Sequence, residues 1–352
     1  LTRLRHVKFR PNVWADYFLV VAHYFYGLNL VNMLPLTFGR FQINLIAIAA
    51  CAAMCVFFGA SVPALLPGTS KLHHGYNLYN GGLATGLLGL FMFPFLYKTM
   101  DIEPLSYENA VYTAHGSSYL LFCTAFYALL FSLCAIIGWV RNGKTFRSYG
   151  ELLRDSGYKT NFLHRYPLAL TWINLGLYGL MMTAYFCLVV LLTEDAGFTG
   201  ATCGVILAAM TFAVSGQHPK NVWPVLAGYA LLSLLIHALC LASGRAVPWT
   251  LSTQGYMNGV AFASGLCPFT GKYGRKAGML AGFFSTVMCT TTGFMHGGFV
   301  LYNGGLTAGV AALILLPLAD TYVHHTERYG RGLLKPRHAP AGDEETVRPL
   351  EP

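Results

Sequence analysis

Apolar runs of about 20 residues, the length that crosses roughly 30 Å of hydrocarbon as a helix, recur along the chain with short polar or glycine-rich breaks between them. They do not alternate polar and apolar, which argues against barrel strands and leaves helices as the expected elements. The pattern predicts ten segments, at about 13–36, 42–60, 79–98, 119–140, 168–192, 198–215, 224–243, 250–267, 277–295 and 299–318. The expected fold class is an all-α integral membrane protein of about ten transmembrane or re-entrant helices.

Composition supports this pattern. Hydrophobic residues make up 55% of the 352 positions and charged residues 11%, against about 25% charged in soluble domains. The formal charge of +9 would suit a nucleic-acid binder, but the basic residues cluster in short loops beside the segments. That is the positive-inside pattern, so membrane lipid and not nucleic acid is the expected partner. The nine cysteines all fall in apolar segments without a CxxC pair and read as small core residues.

The surest loop runs from 141 to 166, where Arg141, Lys144, Arg147, Arg154, Lys159 and Arg165 face only Glu151 and Asp155. It marks the cytoplasmic side. Counting outward puts both termini in the cytoplasm and the protein in a plasma (inner) membrane. Four regions follow: 1–140, a first repeat that reads as N-terminally incomplete; 141–167, a basic linker; 168–325, a second repeat; and 326–352, a tail expected to be disordered.

Those repeats rest on one motif. Positions 73–86 read HHGYNLYNGGLATG and positions 296–309 read HGGFVLYNGGLTAG, with nine of fourteen residues identical and Pro94 matched by Pro317 at the same offset. By the loop count the two copies run in opposite directions. This predicts inverted repeats about a two-fold axis in the membrane plane, an arrangement that places transport sites centrally.

The motif supplies the candidate chemistry. Gly81, Gly82, Gly304 and Gly305 allow either close backbone approach or a helix break. Asn80 and Asn303 offer amides to a solute, or act as helix caps and interhelical glue. Tyr79 and Tyr302 would flank such a solute, with Asn77 and Asn258 nearby as further polar groups. His73, His74 and His296 precede the motif helices and are candidates for gating, proton relay, a metal site assembled across the repeats, or interfacial hydrogen bonding. No HxxxH or HExxH spacing occurs, so no metal or cofactor is expected. Asp16 is a candidate proton-linked carboxylate near a segment end, and GQHPKNVWP at 216–224 reads as a tight polar turn that either contacts an anion or headgroup or is a plain loop.

STQGYMNGVAFASG at 252–265, followed by an apolar span and GGFVLYNGGLTAG, resembles the half-unit of the urea transporter family. Through LHHGYNLYNGGLATG and GQHPKNVWP the chain more closely resembles an uncharacterised family of bacterial polytopic membrane proteins known only as a domain of unknown function. The urea-transporter resemblance implies a pore between inverted halves that passes a small neutral solute, often in a trimer, with Gln254 as the pore-helix glutamine and Asn80 and Asn303 as the motif asparagines. The expected function is a channel or facilitative transporter for a small polar solute in a homo-oligomer, not an enzyme. A proton- or ion-coupled transporter, a histidine-cluster metalloenzyme and a structural subunit remain open beside it.

Overall fold

A computed structural model describes residues 37–38, 41–42, 45–95, 99, 117–192, 200–247, 254–296 and 303–329. The expected segment at 13–36, with Asp16, lies outside these residues, as do Tyr302 and the tail beyond 329. The described chain is helical apart from a two-residue antiparallel pair, β1 (Thr37–Phe38) with β2 (Phe41–Gln42).

The helices are α1 (Leu45–Leu72), α2 (Asn80–Phe93), α3 (Ser117–Arg141), the short α4 (Tyr149–Leu152) and α5 (Phe162–Arg165), α6 (Leu168–Leu192), α7 (Gly200–Met210), α8 (Pro219–Ser243), α9 (Gln254–Ala263), α10 (Cys267–Tyr273), α11 (Arg275–Met295) and α12 (Asn303–Tyr329). Among the described residues, four of them are long and apolar enough to cross a membrane: α3, α6, α8 and α12. Their outward faces are oily, with Leu121, Phe122 and Leu129 on α3 and Leu234, Leu239 and Leu241 on α8 all exposed. Lipid gives such faces a partner that water does not. Of the four, α12 is the most buried and α3 the least, so α12 is central and α3 peripheral.

Lipid supplies no hydrophobic drive between helices, so close contact has to come from small residues that let backbones approach. Glycines do this along two antiparallel seams. On the first, Gly138 of α3 meets Ala169 and Ile173 of α6, while Gly176 and Gly179 of α6 meet Phe131 and Ala135 of α3. On the second, Gly228 of α8 meets Met279 and Phe283 of α11, and Gly282 of α11 meets Val225 of α8.

Three local features depart from the periodicity. Helix α1 does not stop near residue 60 but continues through Pro63 and Pro67 to Leu72. Its last turns gain side-chain donors, since the Thr69 hydroxyl donates to the Leu65 and Leu66 carbonyls at 3.2 Å each. Helix α8 starts at Pro219, ahead of the expected 224, because His218 and Asn221 form a reciprocal capping box and proline fits the first turn. Segments 198–215 and 250–267 are broken helices: α7 passes into a 3₁₀ turn at Thr211–Val214, and α9 into one at Ser264–Leu266 that leads on to α10.

The basic linker is folded, not a bare tether. Leu152 and Phe162 are fully buried with Tyr149, Leu170 and Ile173 in a small core against α6. Asp155 fixes its exit: one carboxylate oxygen accepts from the Gly157 amide at 2.9 Å and the other from the Tyr166 hydroxyl at 3.1 Å, beside Arg165 at 3.1 Å.

Candidate functional site

The two motif copies build the same hairpin. In the first, the Asn80 amide nitrogen donates to the Leu66 carbonyl at 2.8 Å, and its oxygen lies 2.9 Å from His73 Nε2. In the second, the Asn303 amide donates to the Cys289 carbonyl at 3.0 Å, and its oxygen lies 2.9 Å from His296 Nε2. The sequence separations are identical in both copies, seven residues for each histidine bond and fourteen for each carbonyl bond. Because each amide nitrogen is used as a donor, each oxygen must accept, so both histidines carry their proton on Nε2. For His73 the other nitrogen confirms this, as Nδ1 accepts from the backbone amides of Gly75 (3.2 Å) and Asn77 (3.3 Å). Burial lowers the His73 pKa, consistent with this neutral tautomer.

His74 plays no part in the latch. It is exposed, with φ 53°, in the left-handed turn that Gly75 (φ 91°) completes, and its carbonyl accepts from the Tyr158 hydroxyl at 2.9 Å. The turn is what swings the two backbone amides onto His73.

The motif helices then cross at their glycines. A Cβ placed on Gly82 would lie 2.7 Å from Gly305 Cα, and one on Gly305 would lie 2.9 Å from Gly82 Cα. Beyond the crossing, Gly86 packs on Leu306 while Gly309 packs on Leu83. In motif numbering these are one contact written twice with the partners exchanged, the signature of a local two-fold. The backbones touch, so there is no room for a solute between them at this level. Gly304 is closed off in the same way by Gly259 of α9.

Beside the crossing lies a buried, uncharged cluster. Tyr79 is buried, its ring against Phe212 and Phe262 and its hydroxyl donating to the Ala209 carbonyl at 3.1 Å. The same hydroxyl lies 3.2 Å from the Gln217 amide nitrogen, which also donates to Ser264 Oγ at 2.9 Å. Gln217 and Ser264 are fully buried. The Tyr178 hydroxyl is buried in the same cluster, beside Tyr79 and Ser264. One side of the cluster continues toward the linker: Asn174 donates to the Ala213 and Gln217 carbonyls at 2.8 and 2.7 Å and accepts from Tyr149 at 3.2 Å. On the other side Asn77 sits over the crossing, donating to the Gly305 carbonyl at 3.3 Å. Both 3₁₀ breaks, at 211–214 and 264–266, face this cluster.

Of the residues singled out in the sequence, Asn80, Asn303, His73 and His296 come together pairwise as latches, Gly82 and Gly305 as the crossing, and Tyr79 and Asn77 in the polar cluster. Gln254 and Asn258 fall on α9, with side chains outside the described set, and Gly81 is half-buried in the first turn of α2. Periodicity missed Gln217, Ser264, Asn174 and Tyr178. Gln217 had a local signal, as the residue between the helix-ending Gly216 and the His218 cap.

His218 itself is a structural group. Its Nδ1 accepts from the Asn221 amide at 3.2 Å and its Nε2 meets the Asp155 carbonyl at 3.0 Å, tying the linker to α8. Burial lowers its pKa to about 4, outweighing the Asp155 carbonyl and charge that favour the proton. In the linker, burial and the neighbouring Asp155 push the Tyr166 hydroxyl up to about 12. Among the described residues no three His, Cys, Asp or Glu side chains converge as a metal site would require.

No curated protein matches the chain, and no solved structure does. The family described as protein of unknown function DUF1576 matches residues 39–98 and 141–321, more than half of the sequence, and the chain belongs to that family.

Proposed function

We propose that the protein is a channel or facilitative transporter for a small, neutral, hydrogen-bonding solute of the amide or polyol class. In this reading it is built from two inverted halves, sits in a bacterial plasma membrane with both termini cytoplasmic, and works as a homo-oligomer. The observation that carries it is the uncharged cluster of Gln217, Ser264, Tyr79 and Tyr178 at the point where two helices break. Irregular backbone within a bilayer-embedded fold is tolerated where protein buries it or where it lines a polar path, and discontinuous helices commonly carry transport sites.

The chemistry follows from the inventory. A solute entering a low-dielectric interior loses hydrogen bonds to water, and each one left unreplaced costs about 1–3 kcal/mol. Hydroxyls and a carboxamide both donate and accept, so they replace those bonds for a neutral solute without compensating a charge. An ion would find no counter-charge among these groups. The likeness of the Tyr-Asn-Gly-Gly helices to urea-transporter segments suggests the same solute class.

Stopped-flow uptake into proteoliposomes, over a panel of amides, polyols, amines and weak acids, tests this. At least one solute should enter faster than into protein-free liposomes, and Gln217→Met should slow it about ten- to a hundredfold, the loss of one or two hydrogen bonds in the barrier. Uptake at the protein-free rate for every solute sinks the proposal. A structural subunit is the second reading, favoured by the Asn80 and Asn303 amides being spent inside their own hairpins. It predicts that null uptake result.

A further inference from the structure

A trough of about 560 Å³ opens on the linker side of the molecule, between α4, α6 and the start of α8. Leu153, Leu177, Met181 and Trp223 line it with hydrocarbon and indole, together with Tyr149, Pro219 and one cation, Lys220. Trp223 is partly exposed and carries the Arg275 guanidinium 5.7 Å above its ring, so a second cation borders the same rim. The adjoining linker has six basic residues against two acidic ones, and the carboxylate of Asp155 is already held by Arg165.

We infer that this trough holds a phospholipid with an anionic headgroup. One acyl chain lies along Leu153, Leu177 and Met181, and the phosphate faces Lys220 and Arg275. Three features select that occupant. The trough begins where α8, a membrane-length helix, starts, which places it at headgroup level. Its volume falls in the range of ordinary ligand sites, and its lining is largely apolar with Lys220 as its one charged residue. Tryptophan with neighbouring basic side chains is the composition of a membrane interface, and clustered cations there favour anionic lipid. The inference rests on the membrane reading of the four long helices and is independent of whether the protein carries a solute.

Trp223 is its own probe. The intact protein is placed in vesicles of phosphatidylglycerol and phosphatidylcholine in which one lipid or the other is brominated. Quenching of Trp223 is read as the difference from a Trp223→Phe variant. Brominated phosphatidylglycerol should quench Trp223 with a preference of about fivefold or more over brominated phosphatidylcholine. Lys220→Gln should cut that preference about fivefold, and Lys220→Arg should keep it. Equal quenching by the two lipids overturns the inference. So does an unchanged preference in Lys220→Gln with native circular dichroism, or a preference lost in Lys220→Arg.

Discussion

Replacing Gly82 with alanine tests the crossing directly. The new methyl carbon would sit 2.7 Å from Gly305 Cα and 3.0 Å from its carbonyl carbon, whereas non-bonded carbons rest at about 3.5–4.0 Å. Both neighbours are backbone and cannot swing aside, so the two helices have to part by roughly 1 Å, and overpacking of this kind costs about 1–3 kcal/mol. Alanine recovers about 0.5–1 kcal/mol of that through its better helix propensity. The net expectation is a loss of about 1–2 kcal/mol. Gly305→Ala should lose a similar amount, because its methyl would lie 2.9 Å from Gly82 Cα across the same local axis. The double variant should lose less than the sum, since one separation of the helices accommodates both methyls. Gly204→Ala in α7 is the control: nothing lies within 4 Å of its added carbon, so the change should be neutral or stabilising by about 0.5–1 kcal/mol. The assay is reversible unfolding in mixed micelles, followed by circular dichroism, for all four variants. If Gly82→Ala and Gly305→Ala prove as stable as Gly204→Ala, the backbone contact is not there.

Two further predictions follow from other contacts. Leu72 and Met295 occupy equivalent positions before the two motif copies and both are exposed, at 54% and 56%. Cysteines placed there, on a background without the native ones, should react with an impermeant maleimide from opposite sides of oriented vesicles, and labelling from the same side would refute inverted halves. His218 has a folded-state pKa of about 4 against 6.5 when unfolded, so between those values the unfolded chain binds the extra proton. Stability is therefore full above about pH 6.5, falls by about 3 kcal/mol as the pH drops toward 4, and then levels off as far as this group is concerned. His218→Asn keeps a capping side chain and should remove that part of the pH dependence in the same unfolding assay; an unchanged profile would remove His218 as its source.

How much of this was legible in the sequence varied from element to element. The span 168–192 is read off residue for residue, because an unbroken apolar run begins directly after Pro167 and only a helix satisfies its backbone in lipid. The repeated motif also announced itself, and its two copies do form matching structures. What the copies do was not readable. Each asparagine satisfies its amide at a histidine seven residues away and a carbonyl fourteen away, and no sequence pattern distinguishes such a latch from a side chain offered to a solute. The continuation of α1 past two prolines was likewise hidden, since a proline inside an apolar run reads as the end of a helix.

The sequence by itself determined a helical chain with runs long and apolar enough to cross a bilayer and a duplicated motif, because hydropathy, helix length and local identity are properties of contiguous residues. Only the tertiary structure decided that the duplicated glycines touch one another, closing the gap where a passage was expected. It also decided that Tyr79 meets Gln217 and Ser264, partners 138 and 185 positions away. Contacts over such distances are set by which helix backbones fit together, and that fit leaves no mark in the neighbouring letters of the chain.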